Sequence, residues 1–175
     1  MPDPRLRATV SISFSIAVER LWAALTDFEH MHHWFVGVRR VQIVEGGAPR
    51  VGAHRRVRFV GGHRATELIT WWEPPTDPGA LHTIRPRVQG SFRLRLGSDT
   101  QLTSMTDIDV SVWGTRLSSR VRWQIAYQSR YGTYGHVLGM ALVTPLLKSA
   151  IGLSLRCLRR RLRAVDTAKT QTEAG

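Results

Sequence analysis

The apolar run from Val137 to Val165 is the feature that any fold of this chain must accommodate. From Leu147 onward, Leu147, Ile151, Leu155, Leu158, Leu162 and Val165 recur at three- and four-residue steps, which places them on one side of a helix. Arg156, Arg159, Arg160 and Arg163 fall on the opposite side. Thr144-Pro145 reads as the helix start, with threonine at the N-cap and proline at the first helical position, where a missing N–H costs nothing. A helix of about twenty residues is roughly 30 Å long and needs an apolar surface to lie on. The rival reading of Val137–Leu155 is a membrane span with a basic flank at Arg156–Arg163. Lys148 inside the segment, the interruptions at Gly139, Pro145 and Gly152, and the apolar/basic split after Leu147 favour a surface helix.

The surface is expected from the strands upstream. Val10, Ile12, Phe14 and Ile16 alternate with Ser11, Ser13 and Ser15, the signature of a half-buried strand. Val18, Leu21, Trp22 and Leu25 then take helical spacing over Val18–Thr26, and Asp27 is placed to cap a second short helix over Phe28–Phe35. Strand patterns follow over Val38–Glu45, Val51–Val60, Arg64–Trp72, Leu81–Arg87 (the weakest), Phe92–Leu96, Ile108–Val112 and Arg120–Tyr127. Short turn-forming stretches separate them, so antiparallel hairpins are expected. Arg120–Tyr127 reads either as a further strand or as the preceding one continued after a bend at Gly114. Strand, two short helices, a run of strands and one long helix make an α+β domain with an antiparallel sheet covered by the last helix. Residues 1–7 and 166–175 read as flexible tails on either side of a single domain over 8–165.

Composition narrows the partners. The net charge is +12, with Lys148 and Lys169 the only lysines. Such a balance attracts polyanions, anionic lipid headgroups among them, or reflects a solvated basic exterior. Hydrophobic content of 42% is ordinary for a globular protein. The single Cys157 excludes an internal disulfide framework and fits a reducing compartment. Met1–Arg7 lacks the apolar run of a signal peptide, so the expected location is cytoplasmic, with membrane association left open.

The order of these elements resembles a known superfamily. Ile16-Ala17-Val18-Glu19-Arg20-Leu21-Trp22-Ala23-Ala24-Leu25-Thr26-Asp27 is similar to the opening of the START/Bet v 1-like (SRPBCC) group, which includes polyketide cyclases/dehydrases and lipid-transport proteins. Trp34, Val51-Gly52, Trp72-Glu73-Pro74-Pro75 and Tyr134-Gly135-His136-Val137-Leu138-Gly139 ahead of Pro145 match further parts of its pattern. Trp113–Tyr134 is longer and more basic than that pattern. The resemblance, over roughly residues 8–165, implies a helix-grip fold: a curved antiparallel sheet wrapped around the long C-terminal helix, with an apolar cavity between them. It implies binding or transport of a lipid, a sterol or a polyketide-like molecule. A polyketide cyclase or aromatase is the enzymatic alternative, and a peripheral membrane lipid-handling protein a further one.

Candidate ligand-binding residues are Trp34, Phe35, Phe59, Trp71, Trp113, Tyr127, Tyr131, Leu138, Leu142, Leu147 and Ile151. Aromatics at strand spacing serve equally as plain core. Tyr127, Tyr131 and Tyr134, near Gly132 and Gly135, could form a gate. Glu67 and Arg55 are the candidate catalytic groups. Inward, Glu67 is a buried carboxylate, and outward it is a salt-bridge partner for neighbouring arginines; an inward Arg55 anchors a ligand carboxylate or phenolate, or else marks a bulge. His30, His32 and His33 cluster, but no third ligand follows from spacing, so a solvated cluster is expected rather than a metal site. No Ser-His-Asp arrangement, phosphate loop or dinucleotide fingerprint is present, and no cofactor is expected. Arg56, Arg58, Arg93, Arg95, Arg120 and Arg122 should project from the outer face of the sheet, with Asp107 and Asp109 as cross-strand partners. Nucleic acid is not the expected partner, because the strand aromatics alternate inward rather than forming a stacking platform.

Overall fold

The serine-alternating strand at the start becomes β1 (Leu6–Phe14), whose Leu6, Ala8 and Phe14 are buried while Ser11 and Ser13 face solvent. A computed structural model of the chain describes residues 6–44, 48–76, 88–98, 103–129 and 132–173. The chain continues as α1 (Val18–Thr26), a 3₁₀ turn (Met31–His33), β2 (Val38–Ile43), β3 (His54–Phe59), β4 (Arg64–Glu73), β5 (Val88–Ser98), β6 (Thr103–Gly114) and β7 (Ser119–Ser129). It ends with α2 (Gly132–Leu138), a π-helical turn (Gly139–Val143) and α3 (Thr144–Glu173).

Among the described residues, seven strands form one antiparallel sheet in the order β1-β7-β6-β5-β4-β3-β2. The two edge strands are therefore the first two in sequence, and α1 with the 3₁₀ turn carries the chain between the edges. The hairpins follow the turn residues: Gly61 and Gly62, with φ of 95° and 89°, close β3 onto β4, a conformation few other residues adopt. Arg120–Tyr127 belongs to a separate strand, β7, paired with β6 beyond Gly114. Residues 81–87, read as a weak strand, lie outside the described residues.

One face of the sheet is apolar and buried. Ile108, Val110 and Val112 of β6 stand beside Val121, Trp123, Ile125 and Tyr127 of β7 and Phe92 and Leu94 of β5. The other face carries the arginines, and Arg93 pairs with Asp109 and Arg95 with Asp107 (3.2 Å) across β5 and β6, as the parity predicts. Such exposed pairs contribute about 0.2–1 kcal/mol each.

Three expectations are corrected. The helix over Phe28–Phe35 is only the 3₁₀ turn Met31–His33, because the Asp27 carboxylate meets His30 Nδ1 at 2.8 Å and makes no N-cap. The C-terminal helix does not start at Thr144-Pro145. α2 and the π-turn run into it, and Thr144 sits mid-path with helical dihedrals (φ −61°, ψ −49°). The helix also continues past residue 165 to Glu173.

The long helix meets the sheet along only part of its length. Ile151, Leu155 and Leu158 are buried, with α3 lying against β1, and Ser154 Oγ accepts the Val36 N–H at 2.9 Å. Thr133–Val165 is long and apolar enough to cross a bilayer by length and composition, but its second half is committed to the core of this domain.

Candidate ligand-binding cavity

Strand parity decides what faces the helix. β3 turns Arg55 and Val57 inward, with Phe59 half-buried on the same side, and β4 turns Ala65, Glu67 and Ile69 inward. Arg55 and Glu67 are directly opposed in the β3–β4 register. Arg55 Nε–H donates to Glu67 Oε2, and the two side chains are 2% and 5% exposed. The Arg55 guanidinium lies 4.0 Å over the ring of Phe28, and its Nη1 is 3.8 Å from Met31 Sδ. Nη2 and Glu67 Oε1 take no hydrogen bond among the described residues. A buried ion pair of this kind adds little net stability, since desolvation offsets the attraction.

The pair forms part of the wall of a cavity of about 240 Å³ between the sheet and the C-terminal helix. The sheet contributes Val38, Val57, Phe59, Leu96, Ile108, Trp123, Ile125 and Tyr127; the 3₁₀ turn contributes Met31, and the loop between it and β2 contributes Phe35; the helix contributes Val143, Leu147, Ala150 and Ile151. Arg55 and Glu67 are the only ionisable pair among them. On the far side of Arg55 an aromatic cluster fills the core, with Phe28 against Trp72 and Phe92 at 6.2 and 5.7 Å, and Trp22 against the same two rings at 5.1 and 5.6 Å. A smaller dry cavity, of about 150 Å³, suffices for benzene. This one accommodates more than a single ring.

Tyr127 fastens the helix to the sheet beside the cavity. Its hydroxyl donates to Gly139 O (2.9 Å) and lies 2.8 Å from Thr144 Oγ1. These are the two ends of the π-turn, where the Thr144 N–H reaches back to Gly139 O. A π-turn frees backbone geometry within a helix and recurs at functional sites.

The structure brings Phe35, Phe59, Tyr127, Leu147 and Ile151 to the cavity wall, together with Arg55 and Glu67. Trp71, Trp113, Trp34, Leu138 and Leu142 are corrected. Trp71 is 53% exposed on the outer face, where its Nε1–H donates to Ser91 Oγ (3.2 Å); a register shift between Ile69 and Trp71 reverses the parity and turns Trp72 inward instead. Trp113 lies on the outer face with Arg122 over its ring, opposite in parity to the buried Val112. Trp34 is buried one layer behind the wall, packed on Phe35 and Trp123. Leu138 and Leu142 are 60% and 63% exposed, because the helical path here turns the buried Gly139, held by Tyr127, toward the sheet and leaves these two side chains on the solvent side. Tyr131 lies outside the described residues, and Tyr134 is exposed, so no three-tyrosine gate is formed by what is described. His30, His32 and His33 stack on one another at the surface.

Sequence reasoning missed Met31, Val38, Val57, Leu96, Ile108, Trp123, Ile125, Val143 and Ala150 as wall residues. Trp123 was legible: it shares strand parity with Val121 and Ile125 on the inward face.

The family model described as polyketide cyclase / dehydrase and lipid transport matches residues 5–163. Among solved structures, TTHA0849 from Thermus thermophilus aligns with a TM-score of 0.60 at 15% identity, over 91% of this chain and 99% of that one. A Thalictrum norcoclaurine synthase point mutant in complex with a transition-state analogue aligns with 0.59 at 14% identity, over 92% and 99%. Ara h 8.0201 aligns with 0.60 at 10% identity, over 92% and 99%. Such identities speak for the helix-grip fold alone. Among curated protein sequences none matches the chain.

Proposed function

The chain belongs to the polyketide cyclase/dehydrase and lipid transport family, and from that premise we propose that it binds a hydrophobic small molecule carrying one oxygen-bearing end. The observation that carries this reading is the cavity itself: about 240 Å³ walled by aliphatic and aromatic side chains, with Arg55 and Glu67 its one charged feature. Apolar walls with a few placed polar groups suit a small-molecule site. The free Nη2 donor and Oε1 acceptor match a hydroxyl, carbonyl or carboxylate at the ligand's end.

Native mass spectrometry of the purified protein, followed by organic extraction, should recover such a molecule. Titration with the neutral dye N-phenyl-1-naphthylamine should be saturable at one site. Ala150→Trp places an indole in the cavity and should weaken that binding at least about tenfold with an unchanged circular dichroism spectrum. Absence of saturable binding and of any extracted molecule would refute the reading.

Catalysis of the cyclase or aromatase type is the second reading, favoured by the convergence of Arg55 and Glu67 on one wall. A general acid or base must touch its substrate. Glu67→Gln separates the two. If it abolishes turnover of a poly-β-ketone substrate while leaving dye affinity intact, the protein is an enzyme. If no turnover is detectable in the wild type, it is a carrier.

A further inference from the structure

The segments that line the cavity also present its neighbouring surface. Phe35 is in the wall and Val36 is 43% exposed; Phe59 is in the wall and Val60 is 69% exposed. Val143 and Leu147 are in the wall, while Leu142 and Leu146 are 63% and 71% exposed. The first two segments are joined, since Val60 N–H donates to Gly37 O at 2.8 Å. Aliphatic side chains thus stand at the surface beside the cavity on both the sheet and the helix. Leu138 (60%) and Met140 (51%) extend the helical part.

Charge on the same segments has one sign. Residues 36–44, 54–66 and 132–165 contain no aspartate or glutamate. Arg40, Arg58 and Arg64 occupy opposed register positions across β2, β3 and β4, next to the Val60 turn. All three are exposed, and none pairs with an acidic group among the described residues. Like charges set opposite one another across strands are unfavourable. On β5 and β6, by contrast, the outward arginines meet aspartates. The helix adds Lys148 and, beyond the exposed leucines, Arg156 and Arg160.

We propose that this rim docks onto the surface of an anionic lipid bilayer, with Val36, Val60, Leu142 and Leu146 entering the interface and Arg40, Arg58, Arg64 and Lys148 meeting the headgroups. Apolar residues flanked by cations are what an interfacial contact requires. A second copy of this chain is disfavoured, because each copy carries +12 and would bring the same cations together. Single-stranded nucleic acid would call for exposed rings to stack on, and these four rim residues are aliphatic. The docking rests on the ligand-binding reading only for its purpose, which is to hold the cavity against a source of apolar ligand.

The test is co-flotation of the full chain with vesicles of phosphatidylcholine alone or mixed with phosphatidylglycerol, at low and high NaCl. Binding to the mixed vesicles should be strong and lost at high salt. Arg40→Gln/Arg58→Gln/Arg64→Gln should lower partitioning roughly 100-fold, each arginine near an anionic surface being worth about fivefold. Leu142→Asn/Leu146→Asn, on side chains exposed in the folded protein, should lower it at least about tenfold. Both variants should retain N-phenyl-1-naphthylamine binding in solution, which separates loss of docking from loss of the cavity. Four outcomes overturn the proposal: no vesicle binding; equal binding to neutral vesicles; incorporation that resists high salt and alkaline carbonate, as for a spanning segment; or full vesicle binding by the leucine variant.

Discussion

Removing one member of the Arg55–Glu67 pair should be far more damaging than removing both. The side chains are 2% and 5% exposed and opposed in the β3–β4 register, so each is the other's only charged partner among the described residues. At a charge separation of about 4 Å and an effective dielectric near 20, their attraction is about 4 kcal/mol. Stranding one buried charge costs about 3–5 kcal/mol by the same reasoning. Arg55→Met leaves the carboxylate unpaired in an apolar wall and should lie at the upper end. Glu67→Leu should cost less, because the guanidinium keeps its place over Phe28 at 4.0 Å. For a chain of this size each kcal/mol moves Tm by roughly 2–4 °C, so Arg55→Met, at about 5 kcal/mol, should melt roughly 10–20 °C below the wild type. Arg55→Met/Glu67→Leu should return to within about 1 kcal/mol of the wild type, or exceed it by up to about 4 kcal/mol. Urea unfolding of all four proteins, with unchanged m-values, closes the cycle. Single-variant losses that simply add in the double variant would refute the assignment of this pair as a desolvated, mutually dependent unit.

The other expectations are more local. Tyr127→Phe removes a buried hydroxyl bonded to Gly139 O and Thr144 Oγ1; it should cost about 1–3 kcal/mol and speed hydrogen exchange around residues 139–144 before the rest of the helix. Along that helix, Leu155→Ala at a fully buried site should cost about 2–5 kcal/mol, while Leu146→Ala, 71% exposed, should stay within about 0.5 kcal/mol by thermal or urea unfolding. Gly114→Ala should destabilise the β6–β7 hairpin by about 1–3 kcal/mol, since the added Cβ would collide with Ser118 O and lie 2.6 Å from Ser119 Cα, backbone that cannot step aside. Desolvation, with the nearby His32 and Arg161, holds the His33 imidazole below its ordinary 6.5. The folded state thus resists protonating it, so its contribution to stability is complete above 6.5 and declines as pH falls below that value. An NMR titration of the His33 ring that gave 6.5 or higher would contradict this.

The strands could be read because one face of the sheet is apolar and the other charged. Ser11 and Ser13 in β1, Arg93 and Arg95 in β5, and Arg120 and Arg122 in β7 mark the outward parity without ambiguity, and the aspartates of β6 confirm it across the ladder. The reading failed where geometry departs from strict periodicity. The register shift between Ile69 and Trp71 exchanged the roles of Trp71 and Trp72, and nothing in their identical side chains announces it. The π-turn at Gly139–Val143 likewise erased the helix boundary that Thr144-Pro145 suggests, because Thr144 satisfies Tyr127 rather than capping a first turn.

The cavity was harder to read than the fold for a related reason. On β4, the parity of Ala65, Glu67, Ile69 and Trp71 is as apolar as that of Thr66, Leu68, Thr70 and Trp72, so hydrophobicity alone could not place Glu67. What places it is the partner strand: Val57 and Arg55 share a face on β3, and a buried arginine there requires an acid at the opposed position of β4. The same cross-strand logic separates the outward arginines that meet an acid, Arg93 and Arg95 on β5, from Arg40, Arg58 and Arg64 on β2 to β4, which oppose one another. A search along one strand sees only alternating charge. Read across the strands, Arg40, Arg58 and Arg64 form a ladder of like charges next to the Val60 turn, with no acidic partner among the described residues.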